Sequence, residues 1–561
     1  MTGAEAIVAH LLARGTEVVF GMPGGAVLPL YDAFHGTALR HVLVRHEQGA
    51  ALAADGYARA TGRTGVCIAT SGPGAMNLLT GLATAYMDSV PVVALTGNVP
   101  TTLMGTDAFQ EADTFGASMP VTKHNYLVRD PAELVPVLEE AFDLAATGRP
   151  GPVLIDVPKD VFTGKAADRP RAAGDRPAPS RAGGAAAGDE PPRIAAAARA
   201  VAGAQRPVLY AGGGVISAGA ADALRALAEA HGIPVTTTLM ALGAMPADHP
   251  LFLGMPGMHG TYAANLALSE TDCLIAVGAR FDDRVTGRLS DFAPEAVIIH
   301  IDIDAAEHGK LKAAQIPIVA DARAGLEALR RALAGLRRGA GYRDWLRCTE
   351  AWKRDRPLRY DRPAGDLVPP VVIEEISRAT AGDALVVTGV GQHQMWAALC
   401  YAWRRPRQFL TSGGLGTMGY ALPAAVGAQI GCPGARVVCV DGDGSFQLNL
   451  QELATVAELD LPLKVFVINN GCHGMVRQWQ QMFHENRLSA SLLPDNPDFV
   501  RLAEAFGIKG LRIQEPSELA DGIRTALEHQ GPVVVDCIVR RDVNVLPMVP
   551  PGGALREMIE R

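Results

Sequence analysis

Short apolar runs recur along the chain at 18–20, 42–44, 66–69, 92–95 and 153–157, each leading into a glycine-containing turn and then a helical pattern. That rhythm predicts parallel β-sheet covered by helices. A capping box of Thr2 with Glu5 starts the first helix, and Gly15 can end it. The rhythm returns at 208–210, 235–238, 273–277, 297–303 and 316–319, and again at 385–387, 437–440, 465–468 and 533–538. Between these blocks, 163–192 is rich in Ala, Gly, Pro and Arg and reads as a linker. A second linker, 338–366, is dense in Arg and Pro and carries one helical piece around Trp345 to Trp352. The expected organisation is α/β: three doubly wound parallel-sheet domains at 1–162, 193–337 and 367–540, with a tail at 541–561.

At 561 residues the chain exceeds what one core can serve. Its 48% hydrophobic and 20% charged residues suit an ordered globular protein. A net charge of −8 gives no footprint for nucleic acid, although a few local Arg or Lys side chains can still hold an anionic substrate. The eight cysteines are scattered, without a C-x-x-C pair or metal-ligand spacing, and most lie in apolar runs. Buried free thiols in a reducing cytoplasm are expected. Met1-Thr2-Gly3-Ala4-Glu5 lacks the basic start of a secretory signal, and no apolar run approaches the ~20 residues of a membrane helix.

The most specific stretch is Gly442-Asp443-Gly444-Ser445, followed by a helical pattern, a strand and Asn469-Asn470. Asp443 and Asn470 fall just past the carboxyl ends of strands that one helix makes neighbours, the edge where open α/β sheets bind ligands. One carboxylate, one amide oxygen and waters suit Mg²⁺, which usually shares its shell with a phosphate. Gly442 and Gly444 let phosphate oxygens reach the backbone, and the following helix offers free N–H groups. An isolated D-G would be an ordinary turn. Its pairing with Asn-Asn at the next strand end favours a diphosphate–metal site.

This is the thiamine-diphosphate signature. Together with Gly389-Val390-Gly391-Gln392-His393-Gln394-Met395-Trp396 and the run from Thr411 to Tyr420, it resembles the catalytic large subunit of the acetolactate (acetohydroxyacid) synthase family over nearly the whole chain. The resemblance implies three thiamine-enzyme domains, the middle one of FAD type, with thiamine diphosphate, Mg²⁺ and FAD as cofactors. It places Gln392, His393, Gly416, Thr417, Met418, Gly442, Asp443, Gly444, Ser445, Asn470, Cys472, His473, Gly474 and Met475 on the thiamine cofactor. Met418 would prop its rings into a V, and Asp443, Asn470 and the Cys472 backbone would hold the metal. Arg45-His46-Glu47-Gln48-Gly49 matches the family's proton relay. Glu47 is thus the expected acid, a role that asks for a carboxyl able to give and take a proton.

By the same resemblance Gly25 would hold an oxyanion, and Phe109, Gln110 and Lys123 would stand near the substrate channel. In Ala279-Arg280-Phe281-Asp282-Asp283-Arg284, Arg280 would meet FAD and Arg284 the carboxylate of the second keto acid. Trp479 would favour 2-ketobutyrate, with core filling as its plainer use. Ser89, Arg149, Gly212, Gly213, Gly214, Thr238, Leu239, Gly257, Met258, His259, Gly278, Ala279, Phe281, Asp282, Asp302, Ile303 and Asp321 complete the flavin set. The tail around Pro547 resembles the family's closing lid. Asp55, Met76 and Asn98 depart from the family's usual Glu, Thr and Gln.

The implied activity decarboxylates pyruvate and ligates the hydroxyethyl unit to a second pyruvate or to 2-ketobutyrate, in branched-chain amino acid biosynthesis. It would run in a homodimer or homotetramer with a possible small regulatory subunit. Alternatives are a thiamine carboligase with another acceptor, a flavin-dependent pyruvate oxidase, and a non-catalytic flavin- or nucleotide-binding protein.

Overall fold

The computed structural model describes residues 1–166, 191–336, 342–363 and 365–560. Most of the linker expected at 163–192 lies outside them. The first sheet holds β1 (Val18–Gly21), β2 (Arg40–Leu43), β3 (Gly65–Ala69), β4 (Val92–Asn98), β5 (His124–Leu127) and β6 (Val153–Pro158). The middle sheet holds β7 (Pro207–Ala211), β8 (Val235–Thr237), β9 (Cys273–Val277), β10 (Val297–Asp302) and β11 (Ile316–Val319). The third holds β12 (Leu385–Thr388), β13 (Phe409–Leu410), β14 (Val437–Gly442), β15 (Lys464–Asn469), β16 (Lys509–Ile513) and β17 (Val533–Ile538).

Every pairing among these strands is parallel, so the carboxyl ends in each sheet share one edge. The orders are β2-β1-β3-β4-β6-β5, β11-β10-β9-β7-β8 and β13-β12-β14-β15-β17-β16. The first and third sheets therefore have the same topology, and the middle one lacks only a counterpart of the edge strands β5 and β16. Each reverses direction between its first and third strands in chain order, which opens a crevice at the carboxyl edge.

The central strands match the expected runs because helices cover both their faces: β4 and β6 are buried at every position. Three strands escaped the sequence reading, and all are sheet edges. β5 and β16 are only partly buried, and β13 has two residues, so none needs a continuous apolar run. A fourth edge strand, β2, spans Arg40–Leu43 rather than 42–44. The second expected linker contains a full helix, Tyr342–Asp355, anchored by buried Trp345, whose indole donates to the Pro207 carbonyl at 3.1 Å.

The helix Glu47–Thr61 packs against the helix Ala421–Gly431. A Cβ on Gly56 would overlap the backbone of Ala424, and one on Gly427 would overlap the backbone of Ala53. Each helix follows the second strand of its own sheet, and alanine and glycine exchange partners across the contact, as in a two-fold interface. Among the described residues, no helix is long and apolar enough to cross a membrane.

Candidate active site

Two switch-point turns of the third sheet meet at its carboxyl edge. β12 ends at Thr388, and Gly391, at φ +149°, turns the chain into the helix Gln392–Cys400. β14 ends at Gly442, and Asp443 starts the short helix Asp443–Phe446. A Cβ on Gly442 would lie 2.7 Å from His393 Nδ1, and one on Gly444 would lie 2.6 Å from His473 Nδ1. One on Gly474 would overlap Gln392 and stand 2.8 Å from Asn470 Nδ2. Gln392, His393, Gly442, Gly444, Asn470, His473 and Gly474 therefore form one cluster, around glycines that keep its floor clear of side chains.

Asp443 is buried, and its Oδ2 accepts from Asn496 Nδ2 at 2.6 Å. Burial pushes its carboxyl above the ordinary carboxylate range, while the Asn496 bond and the helix N–H groups pull the other way. Asn470 Oδ1 accepts from the Cys472 N–H at 3.1 Å, and Cys472 itself is buried. A cleft of about 410 Å³ opens here between Asn469, Asn470, Asn496 and Arg541. Among the described residues no three His, Cys, Asp or Glu side chains form a metal cage. One carboxylate beside amide and backbone oxygens leaves room for a phosphate to complete a magnesium shell.

Ser445 Oγ accepts from the Gly419 N–H at 2.9 Å, tying the 413–419 loop, and with it half-buried Met418, to the same turn. His393 Nε2 lies 3.4 Å from Asp441 Oδ1. Asp441, one residue before the end of β14, was not among the residues the sequence reading singled out, although it directly precedes the Gly442-Asp443-Gly444 turn. Asn496 carried no such signal, because it comes from a loop with no motif of its own.

On the first sheet, Glu47 opens the helix Glu47–Thr61, behind His46 as N-cap. It accepts from Asn77 Nδ2 at 3.0 Å, and its Oε1 would stand 3.1 Å from a Cβ on Gly74 in the Ser71-Gly72-Pro73-Gly74 turn. The approach to Glu47 is fixed from the third sheet. Buried Glu452 accepts from the N–H groups of Arg45 at 2.9 Å and His46 at 3.1 Å. Gly25 is exposed, with nothing within 4 Å of where a Cβ would stand.

The other first-sheet candidates are more scattered. Phe109 is 89% exposed, Gln110 adopts φ +60°, and Glu111 holds that loop through the Ala108 N–H at 3.0 Å. The structure places the Lys123 ammonium on the carbonyls of Leu144 (2.5 Å) and Thr147 (2.6 Å), at the carboxyl end of the helix Leu134–Ala146. Asn98 donates to buried Asp156 at 2.5 Å, so this departure has a structural use. Asp156 is pushed up to about 7, chiefly by burial.

The two acceptor-side candidates come together: the Arg284 guanidinium carbon lies 5.7 Å from the Trp479 ring centroid. The tail passes beside them. Val545 N–H donates to Gln478 Oε1 at 2.9 Å, Val549 N–H to the Met258 carbonyl at 2.7 Å, and Arg288 N–H to the Gly553 carbonyl at 2.8 Å.

The flavin candidates Gly212, Gly213, Gly214, Thr238, Leu239, Gly278, Ala279, Arg280, Phe281, Asp282, Ile303 and Asp321 follow the carboxyl ends of β7 to β11, and Asp302 ends β10. A Cβ on Gly214 would stand 2.7 Å from the Gly278 Cα. Thr237, beside Thr238, buries a hydroxyl without a hydrogen-bond partner. Several of the charged members have protein partners. Arg280 donates to the Met87 carbonyl at 2.6 Å, Arg149 to Ser89 Oγ at 2.8 Å and Glu307 at 2.6 Å, and Asp321 caps the helix Ala322–Leu333. Gly257 and Met258 lie in the loop that meets Arg284 and the tail, and His259 is buried there.

Residues 389–537 match the thiamine pyrophosphate enzyme C-terminal TPP binding domain, 194–329 the central domain and 1–117 the N-terminal TPP binding domain. The chain belongs to the thiamine pyrophosphate enzymes. It is 49% identical to the acetolactate synthase isozyme 2 large subunit of Escherichia coli over 575 residues, covering 100% of both chains. It is 52% identical to an acetolactate synthase large subunit of Mycobacterium tuberculosis over 574 residues, covering 100% of this chain and 91% of that one. For a probable acetolactate synthase large subunit of Methanocaldococcus jannaschii the identity is 48%, covering 100% and 95%. Within the thiamine enzymes, the chain is a member of the acetolactate synthase large-subunit family.

Proposed function

We propose that this chain decarboxylates pyruvate and joins the two-carbon unit to a second 2-keto acid, pyruvate or 2-ketobutyrate. The single observation that carries the reading is the glycine-floored cluster of Gln392, His393, Gly442, Asp443, Asn470 and Gly474 at one sheet edge. When bound, thiamine diphosphate supplies a nucleophilic carbon and an electron sink for the decarboxylation. Asp443, Asn470 and the Cys472 backbone would hold Mg²⁺ between the protein and the diphosphate, and His393 and the N–H groups at the start of the helix Asp443–Phe446 would meet its oxygens. Glu47 would exchange a proton with the pyrimidine ring, and Glu452 keeps its helix start in place.

Arg284 would take the carboxylate of the acceptor, with Trp479 packing on its alkyl part. The tail excludes water from that side. FAD fits the carboxyl edge of the middle sheet as a bound group. As the family resemblance implies, a homodimer or homotetramer whose subunits share the sites is part of the reading. So are a small regulatory subunit, a cytoplasmic location, and domains at 1–162, 193–337 and 367–540 with a closing tail at 541–561. Incubating the purified chain with pyruvate, thiamine diphosphate and Mg²⁺ should give acetolactate and CO₂ without oxygen uptake. Peroxide formation would point to an oxidase instead.

A further inference from the structure

A three-residue turn, Met87-Asp88-Ser89, lies where all three sheets' loops meet. It follows the helix Leu79–Met87, and Ser89 holds φ +58°, a conformation uncommon outside glycine. Met87 gives its carbonyl to Arg280 from the middle sheet's edge, and Ser89 gives its hydroxyl to Arg149. Asp88 is the residue between them that no role yet covers. Its side chain is fully buried.

The Asp88 carboxylate has three donors. Oδ1 accepts from the Gly414 N–H at 2.8 Å, and Oδ2 accepts from the Gly413 N–H at 3.0 Å and from Arg59 Nη2 at 2.8 Å. Arg59 in turn donates through Nε to Asp55 Oδ1 at 2.6 Å, and the same oxygen accepts from the Tyr420 hydroxyl at 2.6 Å. Thr84, one turn before Asp88 on its helix, shares a 2.7 Å hydrogen bond with Thr417. The 413–420 loop is thus held at its start, middle and end by side chains from the first sheet's helices. Leu415 and Gly416 between those anchors are exposed. A Cβ on Gly414 would stand 2.9 Å from both Asp88 Oδ1 and the Met87 side chain, so the loop lies directly on the turn.

We propose that Asp88, with Thr84, is a positioning residue for the thiamine-diphosphate site: it sets the height and tilt of the loop that presents Gly416, Thr417 and Met418. The inference rests on the reading that these three residues meet the coenzyme. A loop fixed by bonds inside a buried ionic network holds its geometry before the cofactor arrives, and that preorganisation lowers the ordering cost of binding. Gly413 and Gly414 present adjacent N–H groups that one carboxylate spans, which a neutral amide cannot do without turning a donor toward one of them.

The test is calorimetric titration of thiamine diphosphate, with Mg²⁺ present, into cofactor-stripped wild type, Asp88→Asn, Asp88→Glu and Thr84→Val. The inference expects the dissociation constant to rise at least tenfold in Asp88→Asn and severalfold in Thr84→Val. Asp88→Glu should not restore it, and the pyruvate KM at saturating cofactor should stay within twofold. An ion-pair network can also fail by unfolding, so each stripped variant is first melted. If Asp88→Asn does not fold, Thr84→Val, which removes one hydroxyl with its bond to Thr417 and its bond to the Thr80 carbonyl within the same helix, decides the matter. A folded variant that binds as tightly as wild type overturns the proposal. Wild type that takes up no thiamine diphosphate at all overturns the functional reading beneath it, a separate outcome of the same titration.

Discussion

Glu47 and Asn496 show how differently two candidate site residues can be encoded. Glu47 stands in a five-residue motif at a helix start and could be picked from the sequence as the acid. Replacing it by Gln should cost roughly 10²–10⁴ in kcat, the usual contribution of acid–base groups, while calorimetry still detects coenzyme binding. Unchanged turnover would remove the relay from the mechanism. Asn496 sits in no motif, yet its amide fixes one oxygen of Asp443. Asn496→Ala should weaken magnesium binding about 10- to 100-fold, as loss of a partner behind a metal ligand commonly does, measured by Mg²⁺ titration with thiamine diphosphate held constant. The glycines, Asp443 and Asn470 were legible because their turns need those residue types at fixed places. Asn496, Glu452 and Asp88 were not, because each acts across a long sequence separation through hydrogen bonds that no local motif encodes.

Elements were legible in proportion to their burial. Strands covered on both faces must be apolar throughout and were found, whereas β5, β13 and β16 sit at edges and were missed. The helix pair of Glu47–Thr61 and Ala421–Gly431 was also hidden, since glycine within a helix signals weakness until its neighbour is known. Gly56→Ala should destabilise the protein by about 1–3 kcal/mol, the typical penalty of overpacking, read as a lower denaturation midpoint. A midpoint equal to wild type would mean the helices can separate.

The tail has its own chemical sensitivity. His259 is lowered from 6.5 to about 4, first by burial and also by Arg284, while the backbone of Val545 and Pro547 pulls it upward. Because its folded pKa lies below the unfolded value, its contribution is present above about 6.5 and is lost as pH falls toward 4. Hydrogen exchange in 545–560, corrected for intrinsic rates, should therefore quicken between pH 7 and pH 5, and less so in His259→Gln. A pH-independent corrected rate would contradict this.

At the scale of the molecule, the alternation of strand, turn and helix fixed the fold class, and the repeated order of the first and third sheets appeared only in three dimensions. Phe109, Leu28, Leu103 and Met119 are exposed apolar residues of the first sheet's loops and helices, consistent with a partner covering them. Sedimentation of the active protein should give at least a dimer, and full activity in a monomeric boundary would refute shared sites. The crossing at Gly56 and Gly427 has a mechanical consequence. Backbones that touch leave no side-chain ridge to ride over, so these two buried helices cannot slide past each other by a helical turn. On the reading proposed above, opening to admit substrate and closing to shut out solvent would then fall to loops and to the tail, hung on a frame that stays still.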